Sequence, residues 1–193
     1  MLSAIVWLPV LGSILIGILP NFSRSIALII SGVGLLGTMA IACTFNYQDT
    51  GLQLVEHLTW IEPLGLDYHL GIDGLSLPMV ILNALLVLLS VQATGKDVDR
   101  PRLFHSLLLL VSAAVTGAFL AQNLLLFFLF YELELIPLYL LIAIWGGEKR
   151  GYAATKFLIY QALSGMILLA GFLSWAWFAK AGNFDYQALA ATH

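Results

Sequence analysis

Two carboxylic acids, Glu132 and Glu134, stand inside the apolar run Phe127-Phe128-Leu129-Phe130-Tyr131-Glu132-Leu133-Glu134-Leu135-Ile136-Pro137. An ionisable group inside a bilayer is costly, so it marks a functional position by default. Residues two apart on a helix are separated by about 200° around the axis. The two glutamates therefore face nearly opposite sides and cannot form a close pair. One faces a polar interior; the other is protonated, meets a different helix, or needs a partner. Pro137 removes one helical hydrogen bond and crowds the carbonyl four residues back, that of Leu133, so a kink is expected beside the acids. Carbonyls freed there can hold water. A carboxyl group beside mobile water can carry a proton. The plainer reading is a neutral acid hydrogen-bonded to a neighbouring helix. Glu132 is the first candidate for a proton carrier and Glu134 the second.

A third candidate is Lys156, in Tyr152-Ala153-Ala154-Thr155-Lys156-Phe157, a few residues into a second apolar run. Its long stem can snorkel to the interface. Alternatively, its charge tunes a nearby glutamate or relays protons. At 1.5 Å per residue, Glu132 lies about 20 Å and Lys156 about 6 Å from the same edge, so direct contact is not expected.

The elements that position these groups follow from composition. The 193 residues are 61% hydrophobic and 10% charged, with a mean hydropathy of +0.96. Apolar runs of about 20 residues cross a bilayer as helices. A β-barrel would show short alternating segments, and none is evident. The expectation is an all-α polytopic membrane protein, one membrane-embedded segment over 1–193. Six transmembrane helices are expected at about 2–20, 25–46, 73–95, 103–121, 123–145 and 152–179, with an external loop over 47–72. Met1 to Pro20 lacks a basic n-region and reads as a retained first span rather than a cleaved signal.

Cytoplasmic loops collect Lys and Arg. Arg24 lies in the first link, Lys96, Arg100 and Arg102 in the third, and Lys149 and Arg150 in the fifth; the second and fourth links hold none. This alternation fits six spans with an external N-terminus. Lys180, just outside the last span, runs against it.

Several classes of chemistry find no support. The single cysteine, Cys43, allows neither an internal disulfide nor a cysteine metal site. No phosphate-cradling loop, nucleophile elbow or dinucleotide fingerprint occurs, and no basic patch suits nucleic acid. His57 and His69, with Glu56, Glu62, Asp67 and Asp73, match no metal-ligand spacing, so no metal is expected. His105 reads as interfacial. Trp7, Trp60, Trp145, Trp175 and Trp177 read mostly as an aromatic belt. Ser31, Gly32, Gly34 and Gly37 read as helix packing.

Ala121-Gln122-Asn123-Leu124-Leu125, Tyr131-Glu132, Leu135-Ile136-Pro137, Tyr139 and Trp145-Gly146 together resemble the antiporter-like chain 4 (M-type) subunits of respiratory complex I. The likeness is greater to the D subunits of cyanobacterial and chloroplast NAD(P)H–quinone oxidoreductases. His69-Leu70-Gly71-Ile72-Asp73-Gly74-Leu75-Ser76 and Ala153-Ala154-Thr155-Lys156-Phe157 extend the resemblance over essentially the whole chain.

The resemblance implies that Glu132 handles protons and that Lys156 matches a family lysine. Glu134 has no counterpart carried over. Asn123 stands where the family often has Asp, and no function is expected of it. The implied protein is a proton-translocating membrane-arm subunit without redox chemistry of its own. NAD(P)H, iron–sulfur clusters and quinone are then expected in partner subunits, and the implied setting is a cyanobacterial thylakoid membrane with a lumenal N-terminus. The family has about fourteen spans, and its lysine-bearing segment, which supplies the expected partner of Glu132, would follow residue 193. An N-terminal part of such a subunit is therefore expected. Two rival readings stand: a subunit of a Mrp-type cation/proton antiporter, and a purely structural membrane subunit.

Overall fold

The structure is a computed structural model that describes residues 1–49, 51–95, 98–179, 184–186 and 189. Expectations placed on Lys96, Asp97, Lys180 and most of 181–193 fall outside the described residues.

Among the described residues, seven α-helices and one hairpin follow in the order α1 (Leu2–Ile18), α2 (Ser23–Thr44), β1 (Gln53–Ile61), β2 (Leu66–Ile72), α3 (Ser76–Ala93), α4 (Pro101–Leu120), α5 (Leu124–Leu133), α6 (Leu135–Trp145) and α7 (Arg150–Ala179). Helices α2, α3, α4 and α7 are long and apolar enough to cross a membrane, as is the continuous stretch Leu124–Trp145 formed by α5 and α6. The first helix, α1, is equally apolar but has 17 residues. At 1.5 Å per residue it reaches about 25 Å, the lower end of what spans a bilayer. The chain is a polytopic, mostly helical membrane protein.

One element differs from the sequence-based expectation. The stretch 47–72 is not a plain loop: β1 and β2 pair antiparallel across it, with His57 opposite His69 and Thr59 opposite Asp67. The turn is set by Pro63 and by Gly65, whose φ of 62° is left-handed and suits a residue without Cβ. The alternating β-branched and aromatic residues of Gln53–Ile61 carried that signal. Within the fifth span the expected kink takes the form of a break. The helical ladder breaks at Glu134, although its φ of −72° and ψ of −22° stay helical. Pro137 has no N–H to return to Leu133, so the break falls beside the two acids.

Helix α4 is the hub: half of its apolar stretch is buried, and it packs against α1, α2, α3, α5 and α6. One core cluster joins Leu2, Ile41, Leu70, Ile72, Leu120 and Leu126, knitting the hairpin to the helix ends. A second joins Ile16, Ala27, Val87, Val91 and Leu109 toward the other end. Between them, Asn83 on α3 donates to the Ser112 carbonyl at 3.1 Å and to Thr116 at 2.9 Å on α4.

The links sort to two ends of the bundle. At one end, Glu56 of the hairpin accepts from the N–H groups of Leu2 (2.8 Å) and Ser3 (3.0 Å) and pairs with the Met1 amino group. There too, Gln122 donates from its N–H to the His69 carbonyl, and Phe184 accepts from the N–H of Leu124. At the opposite end, Arg24 bonds the Gln92 carbonyl (3.2 Å) and Trp145 the Asp99 carbonyl (2.8 Å). His105 is 2% exposed, with Nδ1 on the Pro101 carbonyl at 2.7 Å and Nε2 buried without a partner among the described residues.

Candidate functional site

Asn123 fixes where the span bearing the acids begins. It is fully buried; its side-chain oxygen accepts from the N–H groups of Leu125 and Leu126, both at 3.1 Å, and its amide donates to the Gly65 carbonyl at 3.0 Å. That is the N-cap geometry, which satisfies orphan donors of the first helical turn. The same residue ties the span to the hairpin turn. About two turns further along, Phe130 lies against Gly117 of α4, in the space a Cβ would fill. The absent side chain lets α5 approach α4 closely.

The other flank of α5 runs against α7. Phe127 meets Phe172 edge-on at 6.1 Å, and the Tyr131 hydroxyl donates to Ser164 at 3.4 Å. Between these levels Glu132 turns its carboxyl onto Gly165, so closely that a Cβ at 165 would occupy the position of Oε1. Oε1 of Glu132 is buried and has no hydrogen-bond partner among the described residues. An unpartnered buried polar atom calls for an explanation, such as a proton or a water. The arrangement can hold a neutral acid or exchange a proton with water admitted at the broken ladder beside Glu134.

Glu134 does not join Glu132. It sits half-buried at the helix break, its carbonyl accepting from Leu138 at 3.1 Å, and its carboxyl has no hydrogen bond among the described residues. Lys156 does not join Glu132 either. It is exposed on α7, its ammonium 5.9 Å from the Tyr152 ring centre and 5.8 Å from that of Tyr160. Nine helical residues separate Lys156 from Gly165, about 13.5 Å along the axis and half a turn out of phase. The lysine and the glutamate thus lie on opposite sides of α7. The structure brings Glu132 to Gly165 and leaves the other two candidates apart.

Sequence reasoning did not find Gly165, and a lone glycine in an apolar helix gives no signal of what it faces. Nor did it find Asp185. His69 Nδ1 lies 2.9 Å from Asp185 Oδ2, across 116 positions of sequence. Of the other groups near the two histidines in sequence, Asp67 approaches His57 Nε2 at 3.5 Å. Asp73 instead caps α3, accepting from the N–H groups of Ser76 (2.7 Å) and Leu75 (3.0 Å). Partial burial pushes the Asp73 carboxyl up, but these bonds outweigh it and hold the group below its ordinary value.

Fold and site define a polytopic membrane protein that holds an acid between two of its spans. A family model described as "NADH:quinone oxidoreductase/Mrp antiporter, TM" matches residues 121–193, the stretch that carries Glu132 and Lys156. The chain is 44% identical over 194 residues to NAD(P)H-quinone oxidoreductase chain 4 1 of Synechococcus sp. (strain JA-2-3B'a(2-13)), covering 98% of this chain and 37% of that protein. Among solved structures, respiratory complex I from Thermus thermophilus contains a chain that superposes with a TM-score of 0.85 at 27% identity. The match covers 100% of this chain and 39% of that one. A chain of the Mrp complex from Dietzia sp. superposes with a TM-score of 0.76 at 16% identity, covering 95% of this chain and 20% of that one. This second likeness is one of fold alone.

The chain belongs to the NADH:quinone oxidoreductase/Mrp antiporter membrane family. It spans little more than a third of the length of the curated relatives it matches.

Proposed function

We propose that the full-length protein is a proton-translocating membrane-arm subunit of a type I NAD(P)H–quinone oxidoreductase, with Glu132 as a proton carrier. The observation that carries this reading is the Glu132 carboxyl, lodged between two spans beside a break in the helical ladder, with one oxygen buried and unpartnered. The relatives named NAD(P)H-quinone oxidoreductase chain 4 support the choice of complex. In this reading the chain takes part in an oxidoreductase without redox chemistry of its own. NAD(P)H, iron–sulfur clusters and quinone belong to partner subunits, and other membrane-arm subunits flank this one. The cyanobacterial relatives favour a thylakoid membrane, and the placement of Lys and Arg favours a lumenal N-terminus.

The mechanism is electrostatic. Redox chemistry elsewhere alters the charge near Glu132, and the acid takes up or releases a proton in response. Lys156 faces away from Glu132, so it acts on the outer side of α7, coupled through water or a further group. Glu134 marks the break through which water reaches the acid.

The test is Glu132→Gln in the intact complex, reading protons moved per quinone reduced. Translocation through this subunit should be lost while quinone reduction persists. Translocation at the wild-type level would leave Glu132 a structural hydrogen-bonding acid. Cation/proton exchange by an assembly lacking quinone reduction would favour the Mrp-type reading instead.

A further inference from the structure

The hairpin and residue 185 bring together donors that the proposed proton path does not use. His57 and His69 are direct cross-strand partners, their ring centres 5.0 Å apart and their planes at 83°. Asp67 lies on the same strand face as His69, two residues away, and so diagonally across from His57. Asp185 approaches from beyond α7 and closes the cluster over β2. One ligand atom each from His57, His69 and Asp185 falls within 4.8 Å of the other two.

We propose that His57, His69 and Asp185 form a binding site for a first-row divalent transition-metal ion, zinc foremost, at the hairpin end of the bundle. Three observations carry it. The donor set is two imidazoles and a carboxylate, which suits zinc, copper or nickel and not magnesium or calcium. The spacing is close to what the ion needs: bonds of about 2.0–2.1 Å in a tetrahedron set donors about 3.3 Å apart. The pair His69 Nδ1 and Asp185 Oδ2 is already at 2.9 Å, so only the exposed His57 has to swing inward. Finally, Oδ1 of Asp185 is buried with no hydrogen-bond partner among the described residues, and the His69 side chain that faces this carboxylate is 10% exposed. A cation between them supplies the partner the carboxylate lacks.

Asp67, 3.5 Å from His57 Nε2, is placed to orient that ring, as a carboxylate commonly does behind a metal-bound histidine. Three protein ligands leave one position of the tetrahedron for water. The ion would join the hairpin to residue 185, whose neighbours Phe184 and Tyr186 bond Leu124 and Gln122 at the start of the acid-bearing span. It would act as a clamp on the end of that span. The proposal is independent of the role given to Glu132.

The experiment uses the full-length protein in its membrane assembly, stripped with a chelator and titrated with zinc chloride alone. Wild type is compared with His57→Gln, His69→Gln, Asp185→Asn and Asp67→Asn by bound zinc per complex and by competition with a zinc-sensitive dye. Loss of a group hydrogen-bonded to a ligand weakens metal binding about 10–100-fold. The three ligand variants should therefore lose one zinc equivalent, with affinity down by at least about 100-fold, and Asp67→Asn should fall by about 10-fold. His57→Gln alters an exposed side chain, so it retains the fold and keeps the comparison valid. X-ray absorption at the zinc edge of the wild type should show two imidazoles. Equal zinc binding by wild type and His57→Gln, or an absorption spectrum without imidazole, would overturn the proposal.

Discussion

The contact between Glu132 and Gly165 yields a prediction that separates stability from function. In Gly165→Ala the new Cβ falls on Oε1 and lies 2.9 Å from Cδ of Glu132, so the carboxyl must leave its place. The obstacle is the free end of a flexible side chain, and moving it off its rotamer costs about 0.5–1.5 kcal/mol. Against that, alanine is preferred over glycine in a helix interior by about 0.5–1 kcal/mol. The two terms nearly cancel, so the midpoint of thermal unfolding should hardly move. Proton transfer is far less tolerant: a displacement of about 1 Å at a reacting group can lower a rate about 100-fold. Proton translocation in membrane vesicles should therefore collapse in a subunit that folds and assembles normally. Adding Glu132→Asp shortens the acid by one methylene, makes room for the Cβ, and should restore part of the activity. Wild-type translocation by Gly165→Ala would refute the reasoning, as would a double variant no better than the single one.

Lys156→Met should leave assembly and stability within about 0.5 kcal/mol of wild type, as surface changes do, yet reduce proton translocation. Unchanged translocation would reduce Lys156 to a snorkelling side chain held between two tyrosines. Asn123→Ala removes a cap worth about 1 kcal/mol and the amide's bond to the Gly65 carbonyl, which then keeps only the Phe184 N–H at 3.5 Å, for a further 1 kcal/mol or so. Chemical denaturation in detergent should show a loss near 2 kcal/mol, and a loss below about 0.5 kcal/mol would contradict the buried cap. Asp73 is held below its ordinary value by the bonds it accepts, so its contribution is present above the unfolded value and is lost as pH falls. Asp73→Asn should accordingly be less stable than wild type at neutral pH, the gap closing below about pH 4. A gap constant from pH 7 to pH 3 would rule this out.

How much of this was legible in advance depended on how local the cause was. Helix existence follows from apolar length, which is summed along the chain, and Pro101, Asp73 and Asn123 mark starts because they act within one turn. The parity of the basic residues placed the links on alternating ends without any knowledge of packing. The hairpin was missed because the polar residues of 47–72 outweighed its alternation, and two strands gain their stability only from pairing and from the helix ends they cover. The burial of His105 was not legible because it comes from neighbouring helices rather than from its own position near a helix start.

The sequence by itself determined that the chain lives in a membrane, which ends of its helices face the same way, and that Glu132 and Glu134 stand inside one apolar span, because transfer cost belongs to each residue wherever it lies. Only the tertiary structure decided that Glu132 rests on Gly165, that Lys156 points away from it, and that His69 meets Asp185. Those are relations between helix faces and between segments as far as 116 residues apart. Their geometry comes from the rotation and crossing of packed elements, which side-chain volumes across the whole bundle fix together.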